Sequence, residues 1–313
     1  MIAASALVVS ACGSSSSSSS SSSSAAATSS AAAGPASSGG APASSGASAS
    51  SGASSSAFVP PSTAAPTALT PAMISAAKAT LTDPSALTVC TSLPYAPFEV
   101  DDGSGKIVGF DIDFMDWMAK DLGVTTKISV QQFVAIKSGT ATKTKKCDIS
   151  AAAMTITAER MASITFSNPY YDASQALMVL SSSSAKSLAD LKGKKLGAQT
   201  GTTGLAYAQK YAEQYGYTVL EYAQISDEEV ALQASKIDAA IHDQPALNEY
   251  SKQQAGKVKI VDNFNTGEEY GFGVALGNTA LATVANYVIA KSKADGTYLA
   301  SYKKWIGGTP PTK

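Results

Sequence analysis

Over most of the chain, apolar and polar residues follow either the pattern of a β-strand or that of an α-helix. Short apolar runs such as LTVCTS, CDISAAAM and DAAIHD predict strands, and segments with helical periodicity lie between them. In GFDIDFMDWMAKDLG, Ile112, Met115 and Met118 share one helical face. Asp111 is a candidate N-cap of that helix and Gly123 a candidate stop. Repeated alternation of strands and helices predicts an α/β fold with helices on the faces of a sheet.

Polar residues fall where these strands end, which is where α/β sheets bind ligands. Arg160 follows the run SAAAMTITAE and is the only arginine among 23 lysine and arginine residues. Its planar guanidinium suits contact with a carboxylate, and the hydroxyls of Thr155 and Thr157 are further donors. The alternative is a surface arginine paired with Glu159.

Two more strand ends carry candidate binding groups. The turn AQTGTTG leads into a helix, so amides near Thr202 and Thr203 can face an anion, although a capped helix explains the pattern equally. The turn lacks both GK[ST] and GxGxxG, which leaves nucleotide binding with little support. Asp243 either binds an ammonium group or caps the helix that starts at Pro245. His242 is expected to point away from Asp243 and to be structural rather than catalytic.

Tyr95 and Phe98 follow the first strand in SLPYAPFEV. They belong either to the core or to a lid over the ligand, and Tyr95 is the candidate lid. We find no convincing Ser–His–Asp or Cys–His arrangement. One histidine without a CxxC pair cannot complete a zinc site, so no metal or cofactor is expected.

The first part of the chain has a different composition. From Gly13 to about Ala68 it is almost entirely Ser, Ala, Gly, Pro and Thr, which predicts a disordered tether over 13–70. Residues 1–12 resemble the end of a signal peptide, but the basic segment that normally precedes it is missing. The given start can therefore differ from the true translation start. The alternative is a chance apolar N-terminus. VVSAC resembles a bacterial lipobox and implies lipidation of Cys12. The net charge of −1 argues against a nucleic-acid partner.

Cys90 and Cys147 then remain as an even pair in an exported protein. Both lie early in predicted strands. If these strands are parallel neighbours, the two cysteines fall in register, and we expect a disulfide. The alternative is two buried free thiols.

Several motifs resemble, in order, those of the bacterial extracellular solute-binding proteins of family 3, the polar amino-acid receptors of ABC importers. They are PYAPFEV, GKIVGFDIDFM, MTITAERMASITFSNPYY, SLADLKGKKLGAQTGTT, DAAIHD, EYGFGVAL and ADGTYLASYKKWIG. The resemblance implies two α/β lobes joined by two hinge strands, here 71–177 with 276–313 and 178–275. It also implies a monomer, anchored outside the membrane by lipid, that delivers its ligand to a permease.

The resemblance also implies a role for individual residues. Arg160 and Thr155, with amides near Thr202 and Thr203, would hold the α-carboxylate of an amino acid. Asp243 and the carbonyl of Ala153 would hold the α-ammonium group. Tyr95 would cover the side chain, with Phe133 as a second aromatic partner.

The expected ligand is a neutral polar amino acid. AIHD resembles the glutamine-binding branch, where a histidine precedes the aspartate. Ser92 stands where many members carry an aspartate, and Gln199 is expected to enter the cleft. Together these residues favour a glutamine-like ligand over a basic one.

Three alternatives share parts of this pattern. A periplasmic cyclic-acid dehydratase on the same fold would need a general acid, for which His242 and Glu99 are weak candidates. A sensory ligand-binding domain and an adhesin-like surface protein are the other two. We therefore expect a binding protein and not an enzyme.

Overall fold

The structure is a computed structural model that describes residues 62–311. Its helices are α1 (Pro71–Lys78), α2 (Phe110–Leu122), α3 (Phe133–Lys137), α4 (Thr140–Lys143), α5 (Ala158–Met161), α6 (Thr203–Tyr215), α7 (Ile225–Gln233), α8 (Gln244–Gln253), α9 (Thr279–Asp295) and α10 (Thr297–Trp305). A 3₁₀ turn covers Leu188–Leu191. The strands are β1 (Ala86–Thr91), β2 (Val100–Asp101), β3 (Ile107–Val108), β4 (Thr125–Val130), β5 (Ile149–Ser150), β6 (Ile164–Phe166), β7 (Tyr171–Leu180), β8 (Lys195–Gln199), β9 (Thr218–Tyr222), β10 (Ala239–Asp243), β11 (Val258–Tyr270) and β12 (Gly273–Ala275). The predicted signal peptide, Cys12 and most of the tether lie outside the described residues.

The first sheet has the order β4-β1-β5-β12-β6, and we call the elements around it lobe 1. β1 is buried along its whole length and runs parallel to β4 and β5, as the continuous apolar run predicts. Helix α2 ends at Gly123, which has a left-handed conformation. Asp111 is not the N-cap: it lies inside α2, fully buried, and Gly109 holds the cap position.

The second sheet has the order β11-β7-β10-β8-β9, and we call its elements lobe 2. β8 runs parallel to β9 and β10, whereas β7 is antiparallel to β10 and β11. Helix α6 ends at Gly216, again in a left-handed conformation. The two sheets confirm the predicted two-lobe α/β fold.

The chain crosses between the lobes at 167–170 and returns at 271–272. Residues 171–177, predicted in lobe 1, lie in the sheet of lobe 2, and β12, predicted in lobe 2, lies in the sheet of lobe 1. The reason is that β7 and β11 stay paired as far as Tyr171 and Tyr270, so both strands extend to the boundary. Tyr170 and Phe272 stack at 4.1 Å between ring centroids, which joins the two crossings.

Cys90 and Cys147 form a disulfide with their Cα atoms 5.5 Å apart. Their strands are parallel neighbours as expected, but the predicted register is wrong: Cys90 lies opposite Ser150. Cys147 precedes β5 because that strand has only two residues. Both cysteines belong to a small apolar cluster with Ile136 and Met154.

Candidate functional site

One cavity lies between the lobes, at the carboxyl ends of β1, β5, β8 and β10. It is lined by all of the predicted ligand-binding residues: Ser92, Tyr95, Phe133, Ala153, Thr155, Arg160, Gln199, Thr202, Thr203, His242 and Asp243. The remaining lining residues are Pro94, Glu99, Ala152, Gln224 and Ile225. The cavity has a volume of about 20 Å³, which is room for one or two waters. A larger molecule therefore reaches the cavity only when its walls move apart.

Arg160 lies in the short helix α5 and is only 5% exposed. Its Nη1 donates to the carbonyl of Thr155 in lobe 1 at 2.7 Å, and its Nη2 donates to the carbonyl of Gly201 in lobe 2 at 3.1 Å. The guanidinium carbon lies 5.4 Å from the centre of the Phe133 ring. The alternative of a surface pair with Glu159 is wrong, because the side chain of Glu159 is 82% exposed and pairs with Lys137.

Helix α6 begins at the wall of the cavity, where the amide of Thr202 donates to the carbonyl of Gln199 at 3.3 Å. The Thr202 hydroxyl accepts from the amide of Leu205 at 3.0 Å and donates to the carbonyl of Gln199 at 2.7 Å, so its side chain is an N-cap. The first amides of a helix have no acceptor within the helix. Gly204 brings this helix start against β7 and β10, since an added Cβ would lie 2.7 Å from Oε1 of Gln175 and 3.2 Å from the carbonyl oxygen of Ile241.

Asp243 ends β10 and is 5% exposed. It accepts hydrogen bonds from the hydroxyls of Tyr95, at 2.9 Å, and Tyr270, and from the amide of Gln175. Burial raises the pKa of Asp243, while these bonds and the charge of Arg160 act in the opposite direction. The carboxylate thus joins Tyr95 of lobe 1 to lobe 2.

His242 and Asp243 do not point away from each other: both line the cavity, and Tyr95 contacts both. The strand alternation ends here because Asp243 is also the residue that precedes α8. Nδ1 of His242 accepts from the amide of Asp243 at 2.9 Å, so Nε2 carries the proton toward Oε1 of Gln199 at 3.1 Å. Burial lowers the pKa of His242 to about 4, which keeps the ring neutral.

Ala153 has a positive φ of 43°, uncommon for a residue with a side chain. Asp111 of α2 fixes this conformation, since one of its carboxylate oxygens accepts from the amide of Ala153 at 2.9 Å. The other oxygen accepts from the hydroxyl of Tyr170 at 2.6 Å. Burial raises the pKa of Asp111 to about 7. An acidic residue within the apolar pattern of GFDIDFM was the sequence signal for this role.

Glu99 is a cavity residue that the sequence reasoning considered only as a weak general acid. It is fully buried, and its carboxylate oxygens accept no hydrogen bond of ordinary geometry within residues 62–311, although the hydroxyl of Thr91 lies close enough to lower its pKa in part. Burial, with the negative charge of Asp111 as the next cause, raises the pKa of Glu99 well above its usual range. Ser92 lies in the same cavity wall.

The fold and the site define a two-lobe solute-binding protein. Residues 87–308 match the bacterial extracellular solute-binding proteins, family 3, and the chain belongs to this family. The lysine/arginine/ornithine-binding periplasmic protein of Escherichia coli K12 is 32% identical over 231 residues, covering 71% of this chain and 88% of that protein. The ABC transporter glutamine-binding protein GlnH of Bacillus subtilis 168 is 34% identical over 210 residues, covering 66% and 76%. A solved structure, an ancestral arginine-binding protein bound to arginine, superposes with a TM-score of 0.67 at 39% identity, covering 71% and 99%.

These relatives are binding proteins, and the chain is a solute-binding protein rather than an enzyme. The described part of the chain contains no helix with the length and apolar character needed to cross a membrane. Within residues 62–311, no group of three or more His, Cys, Asp or Glu side chains is placed to hold a metal ion.

Proposed function

We propose that the protein is an extracytoplasmic receptor that binds a free amino acid between its lobes and delivers it to an ABC importer. The observation that carries this proposal is a buried guanidinium from lobe 1 and a buried carboxylate from lobe 2 in one cavity. Arg160 matches an α-carboxylate and Asp243 matches an α-ammonium group. Each charge is costly to bury without a partner, so a zwitterion is the ligand that satisfies both.

Neutral polar groups in the cavity support glutamine as the ligand. The neutral ring of His242, the amide of Gln199 and the hydroxyl of Ser92 can all contact a side-chain amide, and Gln199 is already oriented by His242. One of the relatives is named as a glutamine-binding protein.

Glu99 supports a second candidate, a basic amino acid such as arginine. A fully buried carboxyl that accepts no hydrogen bond of ordinary geometry gains most from a ligand that brings N–H donors and positive charge. The relatives with arginine-binding names agree with this candidate.

The two candidates are separated by thermal unfolding of the full chain against each of the twenty amino acids at millimolar concentration. A ligand at about 100 times its dissociation constant adds roughly 2.7 kcal/mol to the free energy of unfolding, a clear shift of Tm. A shift with glutamine or arginine supports the receptor. No shift with any amino acid would contradict it.

The same panel with Glu99→Gln identifies the side chain that is bound. If the ligand is basic, the variant loses the arginine shift; if the ligand is glutamine, the glutamine shift remains. Glu228→Gln is the matched control, since Glu228 is also fully buried but lies in α7, outside the cavity lining, beside the backbone of Ile241. A basic ligand whose shift survives Glu99→Gln unchanged would exclude this role of Glu99.

Anchoring through lipid on Cys12 belongs to the same proposal. The VVSAC sequence and the Ser/Ala-rich stretch after it support an anchored receptor, and the Cys90–Cys147 disulfide fits an oxidising compartment outside the cytoplasm. Release of Cys12→Ser protein from the membrane fraction would support the anchor, and unchanged retention would oppose it.

A further inference from the structure

Glu268, near the end of β11, holds polar groups of both lobes. Its carboxylate accepts from the hydroxyl of Thr155 in lobe 1 at 2.9 Å and from the hydroxyl of Thr203 in lobe 2 at 2.7 Å. The amide of Gln175 in β7 also donates to it, at 3.2 and 3.3 Å. Glu268 itself does not line the cavity. One half-buried carboxylate outside the cavity lining therefore bridges the two sides of the cleft.

The two hydroxyls that Glu268 holds are cavity-lining groups. A threonine hydroxyl carries one proton and donates to one acceptor at a time. In this structure both protons are directed to Glu268, away from the cavity. A carboxylate in the cavity and the carboxylate of Glu268 thus compete for the same donors, and they repel each other as like charges.

The position of Glu268 along β11 connects this contact to lobe movement. The ladder between β11 and β7 shifts register between Phe264 and Glu268 and resumes at Glu268 opposite Ala173. Three residues further on, the chain crosses back to lobe 1. The backbone next to Thr155 is also bound to the end of β11, since the amide of Ile156 donates to the carbonyl of Glu269 at 2.8 Å and the amide of Gly271 donates to the carbonyl of Met154 at 3.1 Å. The contact between Glu268 and Thr203 of α6 is therefore the one that a change of angle between the lobes alters.

We propose that Glu268 is an internal carboxylate latch, which joins the lobes through Thr155 and Thr203 and which the α-carboxylate of the ligand displaces from these hydroxyls. The ligand then replaces one carboxylate bridge by another. The displacement rests on the proposed function; the bridge itself does not. Glu268 thereby sets how strongly the site discriminates in favour of a free α-carboxylate.

The displacement is tested by calorimetric titration of wild type and Glu268→Gln with L-glutamine and L-arginine and with their α-carboxamides. The comparison of acid with amide cancels any effect of the variant on lobe closure, because both ligands bind the closed cleft. Removing the charge of Glu268 is expected to improve the preference for acid over amide by about tenfold or more. Glu213→Gln, which removes one exposed carboxylate of α6, should leave the preference unchanged. An unchanged or reduced preference in Glu268→Gln would overturn the displacement.

The bridge is tested in ligand-free protein by amide hydrogen exchange. Without the latch, residues 151–157 and 199–206 should exchange faster in Glu268→Gln than in wild type and Glu213→Gln. Equal exchange rates in all three proteins would contradict the bridge. If neither amino acid binds the wild type, the acid and the amide of the amino acid that gives the largest thermal shift take their place. If no amino acid gives a shift, the proposed function fails and with it the displacement, while the exchange result still decides the bridge.

Discussion

Arg160 and Asp243, the proposed binding groups, were visible in the sequence at the scale of single residues. A guanidinium used once in the chain, and a carboxylate at the end of a buried strand, are rare features with a local sequence signal. Glu99 and Glu268 carry no such signal. Their environment is created by contacts between residues far apart in the chain. Thr155 and Glu268, for example, have a sequence separation of 113.

Asp111 predicts a dependence of stability on pH. Its pKa rises from 3.8 to about 7 on folding, so between these values the folded protein keeps a proton that the unfolded chain releases. The contribution of Asp111 to the free energy of unfolding therefore falls as pH rises from about 4 to 7, by a few kcal/mol in total.

The measurement is urea unfolding of wild type and Asp111→Asn at several pH values. The lowered pKa of His242 acts in the opposite direction over part of this range, so the difference between the two proteins is the readout. A difference that does not change between pH 4 and 7 would show that Asp111 does not titrate there.

At the scale of elements, the apolar runs predicted which segments are strands and which of them run parallel. They predicted the lengths of the strands less well. CDISAAAM predicted a full strand, yet β5 has two residues, because Ala153 adopts a positive φ and the chain turns into the cleft. The crossing points were misplaced for a related reason. The length of β7 and β11 is set by their pairing with each other, which no single segment reveals.

The disulfide is the covalent link between β1 and the segment before β5. It closes a loop with a sequence separation of 57, and the loss of such a link lowers the free energy of unfolding by about 4 kcal/mol in the chain-entropy description. We expect this loss in the Cys90→Ser/Cys147→Ser double variant, measured by urea unfolding. Wild type under strong reductant serves as the control and should match the variant. Equal stability of the oxidised protein and the variant would contradict a structural role for the disulfide.

At the scale of the whole molecule, the proposed function couples ligand binding to lobe closure. The cavity walls come from both lobes, and direct contacts cross it from Tyr95 to Asp243 and from Arg160 to Gly201. A ligand that contacts both walls shifts the population toward the closed arrangement. The motif order in the sequence predicted this architecture, whereas the contacts between the walls depend on how the lobes meet.

The most direct test of the account is a calorimetric titration of wild type, Arg160→Ala and Lys143→Ala with the amino acid that gives the largest thermal shift. Lys143→Ala is the control, since it removes an exposed positive charge of lobe 1 outside the cavity lining. Removing one partner of a buried charged pair costs about 3–5 kcal/mol, so Arg160→Ala should weaken binding by a factor of at least about 100. Binding by Arg160→Ala within twofold of wild type would contradict recognition of the α-carboxylate by Arg160, and with it the assignment of the site.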